Sequence, residues 1–524
     1  MSKSFVKSFS VLMALTLTVP VYASTVRMPQ SETQGTNLHG LENIGIDSWT
    51  KLLMSGKSSG FSVQELREPL MVALSQAKNE QHVFKSIKTV VESAKLVTAE
   101  DYRDLGILLL ELRQELRAQK SMGMKSRQDS LFLMQMLAEE SLYAGSKKFA
   151  NFPTEINIAG SASSSAKAAS LRSFQVQTGD VVLSKATGFG SSSFIALTMD
   201  HPHIYSHSTP VYIDGQGELL SPEADVEDGV KLRKMAKDYI EGSKTRMYIY
   251  RYQGSDTSVQ NKVEAGAANM IKEMYERTGG DPFNKAAYKY DFSMTPGNVN
   301  ERGMFCSAVS YELYLRGGFS GPQNPYTQSV WSPISKSREE LLKVLNMNTN
   351  KVPAPGDLEL NSEFKLVGAR IDVSKLSQDR IEMAIVDAFL SEVANNRETL
   401  RRVSEILNLI SSKPIDKEAL KKMAASGILP KEYADKVGMI DQIPDAINIK
   451  QMAFFVFLND VMTPKLRAVL QAQVEALEKL GKPVGPMQLR KMAKAQGKLM
   501  LAELSKLEEK VMATTGVGSC GKVF

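Results

Sequence analysis

Cysteine is almost missing from this chain: Cys306 and Cys520 are the only two in 524 residues. Exported folds that rely on disulfides are cysteine-dense, so such a framework is excluded, and two thiols so far apart read as unpaired. Cys520 sits in the Gly-rich tail "GVGSCGKVF" without a chemical partner nearby. Long apolar runs are also lacking. The densest, "MAFFVFLNDVM" (452–462), is interrupted by Asn459 and Asp460 and falls short of the roughly 20 residues a membrane-spanning helix needs. There are no internal repeats, which excludes a solenoid. Nor does one sign of charge dominate, since the formal net charge is +6 and Lys3 and Lys7 belong to the leader described below. From Lys450 onward there are 12 Lys/Arg against 6 Asp/Glu, so the basic character is confined to the C-terminal end. A solvated helix face is the ordinary reading of that end, and contact with an anionic polymer or membrane surface is the other; no nucleic-acid partner is implied.

What is present begins with "MSKSFVKSFSVLMALTLTVPVYAS": two lysines, an apolar stretch too short to span a bilayer, and a small-residue Val21-Tyr22-Ala23 site. This predicts a secretory signal over 1–23 and export to the periplasm or exterior, with no cysteine placed to take a lipid anchor. The remaining composition, 43% apolar and 23% charged, is that of a globular protein of several domains. Over 60–150 the pattern is helical. Leu105, Leu108, Leu109, Leu112 and Leu116 keep helical spacing, and Thr98 with Asp101 forms a capping-box signature. The small, polar "GSASSSAKAAS" (160–170) reads as a linker. Short β-branched and aromatic runs follow ("GDVVLS", "STPVYIDGQGELLS", "RMYIYRYQG"), then a helix near Val259–Arg277, the "FCSAVSYELYL" helix and a last strand in "FKLVGARIDV". Mixed strands and helices over 171–373 predict an α+β domain. From 374 to 515 the pattern is helical again, with Leu489, Met492, Met500, Leu504, Leu507 and Val511 outlining one face after the break at "GKPVGP".

Three of the five histidines crowd into "HPHIYSHS": His201, His203 and His207. A zinc site needs further ligands with a spacing of their own, and none stands out, so neither a metal nor another cofactor is expected. His207 instead opens an alternating strand, where its ring can be held rigidly. Cys306 opens a helix, where free backbone N–H groups and the positive end of the dipole favour a thiolate. An imidazole beside it makes a thiolate–imidazolium pair, provided a third group orients the ring. Glu223, reached through the Asp214–Gly217 turn, is the candidate for that role, with Asp225 two residues away as the alternative. The competing reading is a buried, inert cysteine.

Gly179-Asp180, Ser206-His207, Glu223 before Gly229-Val230, and Cys306-Ser307 occur in the order in which the circularly permuted NlpC-type papain-like cysteine hydrolases, the YiiX/YebB-like group, carry their motifs. The region 171–373 resembles that family; neither helical flank does. The resemblance implies a permuted papain-like central domain and acyl transfer through a thioester, with Cys306 as nucleophile, His207 as base and Glu223 as orienting group. It also implies that Ser307, Tyr205 and Asp180 lie in or near the cleft, Ser307 as an oxyanion donor; His201 and His203 are read as loop residues at its rim. Pro210 on the histidine strand implies a sheet edge or bulge. Export makes cell-wall peptide amides the expected substrate, with a lipid acyl bond at a membrane surface, or a non-catalytic scaffold role, as the alternatives.

Overall fold

The computed structural model describes residues 44–515 except 120, 161–167, 200–202, 227–228, 236–243, 253–258, 292, 295–302, 327–331, 334–337, 412–415 and 432–445. The signal segment, His201, most of the predicted linker and Cys520 therefore lie outside the described residues.

The chain is a mixed α+β protein built around a small antiparallel sheet. Among the described residues five α-helices precede that sheet: α1 (Asp47–Ser55), α2 (Arg67–Ser75), α3 (Glu80–Val91), α4 (Ala99–Arg117) and α5 (Met124–Lys148). The capping box at α4 forms: Thr98 Oγ1 accepts from the Asp101 amide at 3.2 Å, and Asp101 accepts from the Thr98 amide at 2.8 Å. All five leucines of the predicted stripe are buried. Helix α5 is enclosed on most of its circumference and carries Gln135, Glu139 and Glu140 into the interior, where each finds a partner.

The described residues form twelve strands: β1 (Glu155–Ala159), β2 (Ala169–Leu171), β3 (Phe174–Val176), β4 (Val181–Ala186), β5 (His207–Pro210), β6 (Tyr212–Ile213), β7 (Leu219–Asp225), β8 (Gly229–Lys234), β9 (Lys244–Tyr252), β10 (Ser332–Pro333), β11 (Lys351–Val352) and β12 (Phe364–Asp372). The main sheet has the order β1-β12-β9-β4-β5 and is antiparallel throughout. Its first strand precedes the predicted linker, so the sheet begins at residue 155 rather than 171. Side chains alternate across it. Val181, Leu183, Tyr248 and Tyr250 face one core, and Val182, Met247 and Ile249 face a smaller one on the opposite side. Strand β5 lies at the sheet edge, which is where Pro210 is tolerated.

Between and after these strands come α6 (Gly190–Thr198), α7 (Val259–Thr278), α8 (Cys306–Arg316) and α9 (Glu339–Val344), then the C-terminal helices α10 (Leu376–Asn395), α11 (Arg397–Ser411), α12 (Lys417–Ala425), α13 (Ala446–Val456), α14 (Thr463–Lys479), α15 (Pro486–Ala495) and α16 (Gly497–Thr515). The predicted continuous helix after "GKPVGP" is in fact two, α15 and α16, separated at Gln496–Gly497. Asn459, which interrupts the densest apolar run, accepts a hydrogen bond from the Ser191 amide at 2.8 Å in the first turn of α6. Among the described residues no helix is long and apolar enough to cross a membrane.

The helical flanks and the sheet share one hydrophobic core running from Ile46 to Val511. A buried polar network ties them together. Arg113 of α4 is paired with Glu359, which also accepts from the Tyr205 hydroxyl at 2.9 Å and the Tyr250 hydroxyl at 2.6 Å. Arg246 of β9 bridges Glu139 of α5 and Asp379 of α10 at 2.7 Å each. Lys185 of β4 also pairs with Asp379. Such groups are retained in an interior only when paired.

Candidate active site

Three short elements converge on His207. Strand β5 carries it at the sheet edge, opposite Ser184 of β4. Strand β7 carries Glu223, whose Oε1 lies 2.7 Å from His207 Nε2. Helix α8 brings Cys306, its first residue, beside the same imidazole, close enough for each group to shift the other's titration. With Nε2 engaged by the carboxylate, Nδ1 is the nitrogen left for the sulfur.

The route by which Glu223 arrives differs from the sequence expectation of a hairpin between its strand and that of His207. The chain leaves the main sheet after β5, and the Asp214–Gly217 turn joins β6 to β7 in a separate three-stranded sheet, β6-β7-β8. Asp214 Oδ1 shapes that turn by accepting from the amides of Gln216 and Glu218. The two sheets meet through side chains, with Thr209 Oγ1 2.7 Å from Ser221 Oγ. Of the two candidate carboxylates only Glu223 turns inward. Asp225 pairs with Arg233 at 3.0 Å and is half exposed.

The electrostatics of the three groups reinforce one another. Burial raises the Cys306 thiol, but the hydrogen bond and charge of His207, helped by the Ser208 amide and the Ser307 hydroxyl, bring it below its ordinary value. Burial and the Lys244 charge disfavour the imidazolium, yet contacts with Cys306 and Glu223 prevail and push His207 up to about 9. Glu223, despite burial, is held down at about 2 by His207, with smaller help from Lys244 and Arg233. These directions together favour the thiolate–imidazolium–carboxylate form over the neutral one. Cys306 is 7% exposed and the His207 side chain 16%.

Phe305 at the N-cap of α8 offers no side-chain acceptor, so the first amides of the helix are not capped by a side chain. Ser307 is fully buried, with its hydroxyl 3.9 Å from the sulfur. Tyr205 and Asp180 do not line a cleft. Tyr205 is directed into the interior network at Glu359, and Asp180 closes a buried turn, accepting from the Gln177 amide at 2.9 Å and from Arg251 at 2.7 and 2.8 Å. His203 is not a rim residue either: it is 8% exposed and its ring packs near Gly356. Among the described residues no group of three or more His, Cys, Asp and Glu could hold a metal ion.

Sequence reasoning missed Lys244, at the start of β9, whose charge acts on both His207 and Glu223. It also missed Tyr326, whose hydroxyl lies 3.0 Å from Ser208 Oγ beside the site, and Tyr290, which burial and then the neighbouring sulfur charge keep protonated. Lys244 and Tyr326 stand in no motif, whereas Tyr290 lies in the stretch "YKYDFSM", 16 positions before Cys306. No family model, no curated protein and no solved structure matches this chain.

Proposed function

We propose that the chain is an exported cysteine hydrolase of the permuted papain-like, NlpC type that cleaves amide bonds, with cell-wall peptide amides as its substrates. The observation that carries this reading is one imidazole bound through Nε2 to the Glu223 carboxylate and neighbouring Cys306 closely enough to lower its thiol. A sulfur at a helix start, an imidazole on a strand and a carboxylate on its second nitrogen are the parts that thiol acyl transfer requires.

In this mechanism the thiolate attacks the carbonyl carbon, and the developing oxyanion is received by the amides of Cys306 and Ser307 at the start of α8. His207 gives its Nδ1 proton to the departing amine, the C–N bond breaks and a thioester remains. Water then loses a proton to the same nitrogen and attacks the thioester, releasing acid and thiolate. Glu223 holds Nε2–H throughout, fixing the ring's orientation and tautomer.

The test is incubation of the protein with purified cell wall and, separately, with phospholipid vesicles, using Cys306→Ala as control. New amino groups released from the wall, absent with Cys306→Ala, are expected. Release of fatty acid from vesicles instead would move the reading to a lipid acyl bond. No turnover of either substrate would leave the scaffold reading in possession.

A further inference from the structure

Strand β5 is four residues long and lies at the edge of the main sheet, paired there with β4. The ladder ties His207 to β4 and leaves its spacing from helix α8 to side chains, which alternate along the strand. Thr209 Oγ1 meets Ser221 of β7, whereas Ser208 Oγ lies 3.0 Å from the Tyr326 hydroxyl and 3.4 Å from Ser310 Oγ of α8. Ser310 stands four residues beyond Cys306, on the same face of that helix. Ser208 directly follows His207, and its amide is among the groups that lower the Cys306 thiol. One serine thus connects the strand that carries the imidazole with the helix that carries the sulfur.

Ser208, Ser310 and Tyr326 are each at most 1% exposed. Tyr326 is itself held in place. Its amide donates to Asn324 Oδ1 at 2.9 Å, Asn324 Nδ2 donates to the Tyr311 carbonyl of α8 at 3.1 Å, and Asn361 Nδ2 donates to the Pro325 carbonyl at 2.9 Å. Its ring packs against Tyr314 and Phe364, with centroids 6.1 and 6.5 Å away. A phenylalanine would fill that ring position equally well, whereas a buried tyrosine hydroxyl needs a polar partner, and here the partner is Ser208. Burial, opposed by Ser208 and Ser310, raises the Tyr326 hydroxyl above its ordinary value, so it stays protonated and able to donate.

We propose that the hydroxyl chain Tyr326–Ser208–Ser310 sets the spacing between the Cys306 sulfur and the His207 imidazole, which makes Tyr326 a positioning residue for the thiol chemistry. The inference rests on the thiol–imidazole pairing of the proposed hydrolase and adds a residue that acts on it through Ser208.

The experiment measures the pH midpoint of iodoacetamide labelling of Cys306 by intact mass in a Cys520→Ser background, and it needs no substrate. Tyr326→Phe keeps the ring and removes only the hydroxyl, and Ser208→Ala removes its partner. Losing one neutral hydroxyl contact shifts the balance between two protonation states by no more than that contact is worth. Each variant should therefore raise the midpoint by about half to one unit and slow labelling at neutral pH about two- to threefold. The double variant should go no further, because both changes break the same contact. Tyr248→Phe, the control, removes a buried hydroxyl that donates to Gln135 at 2.6 Å. It should lower the melting temperature comparably and leave the midpoint where it is. Circular dichroism verifies that every variant is folded. A midpoint unmoved in both Tyr326→Phe and Ser208→Ala, or moved equally by Tyr248→Phe, would reduce the chain to a packing role and overturn the proposal. A parent whose labelling ignores His207→Ala would remove the ion pair and the proposal together. A parent that responds to His207→Ala while ignoring Tyr326→Phe and Ser208→Ala overturns the positioning role alone.

Discussion

Removing the imidazole should turn a reactive thiol into an ordinary buried one. Two opposing influences set the Cys306 thiol: burial, which raises it, and His207, whose hydrogen bond and charge are the main counterweight. With His207→Ala the counterweight is gone and the thiol should titrate at or above its reference value of 9.0. A thiol at about 9 is only about 1% ionised at neutral pH, and each unit by which the imidazole lowers it raises the thiolate fraction up to tenfold, about 1.4 kcal/mol. Part of this is offset, because a more basic thiolate is a better nucleophile by a factor of about three per unit for a Brønsted slope of about 0.4–0.5. Alkylation by iodoacetamide at neutral pH should therefore slow in the variant by about threefold for each unit the thiol rises. The assay is intact-mass kinetics over a pH series in a Cys520→Ser background, so that only one thiol is counted. Deleting the ring also widens access to the sulfur, and His207→Phe, which keeps the bulk, controls for that. Equal labelling rates in parent and both variants, or a parent thiol that titrates near 9, would refute the ion-pair reasoning.

The site should also leave a signature in stability against pH. Glu223, held at about 2 instead of 4.5, adds stability that is complete above about 4.5 and is lost as pH falls through about 2. His207, raised from 6.5 to about 9, adds stability that is complete below about 6.5 and is lost as pH rises through about 9. The deficit of a His207→Ala/Glu223→Ala double variant in urea unfolding should thus be greatest between about 4.5 and 6.5 and shrink toward 9; a deficit independent of pH would contradict it. Glu359→Ala leaves Arg113 buried without its carboxylate and two tyrosine hydroxyls without their acceptor, and should cost about 3–5 kcal/mol in guanidinium unfolding. Gly266→Ala would drive a Cβ to within 2.3 Å of the Leu313 carbonyl and 2.5 Å of the Gly317 amide, forcing α7 away from the helix that carries Cys306. A loss of about 1–3 kcal/mol together with slower thiol labelling is expected, and an unchanged melting temperature would show that the two helices yield freely.

Local pattern carried much of the fold. The α4 leucine stripe and its capping box, the β-branched run of β4 and the aromatic run of β9 were legible because each depends on residues a few positions apart. Cys306 and His207 stood out because both residue types are scarce and each opens a predicted element. The break at Gln496–Gly497 was not legible, because the apolar face of α15 and α16 continues across it. Tyr205, Asp180 and His203 were misplaced for a different reason. Their neighbours in sequence suggest a cleft, but their partners, Glu359, Arg251 and the wall at Gly356, come from remote segments.

By itself the sequence determined which segments become helix or strand and which side chains are available for chemistry, since periodicity, capping and residue type act over short range. Only the tertiary structure decided that Glu223 and not Asp225 meets the imidazole. That choice depends on β7, in its separate sheet, packing beside β5, so that Glu223 is buried against His207 while Asp225, two residues on at the exposed end of the same strand, pairs with Arg233. It likewise decided that Lys244 and Tyr290 act on the site, because electrostatic influence follows distance in space, and separation along the chain carries no information about it.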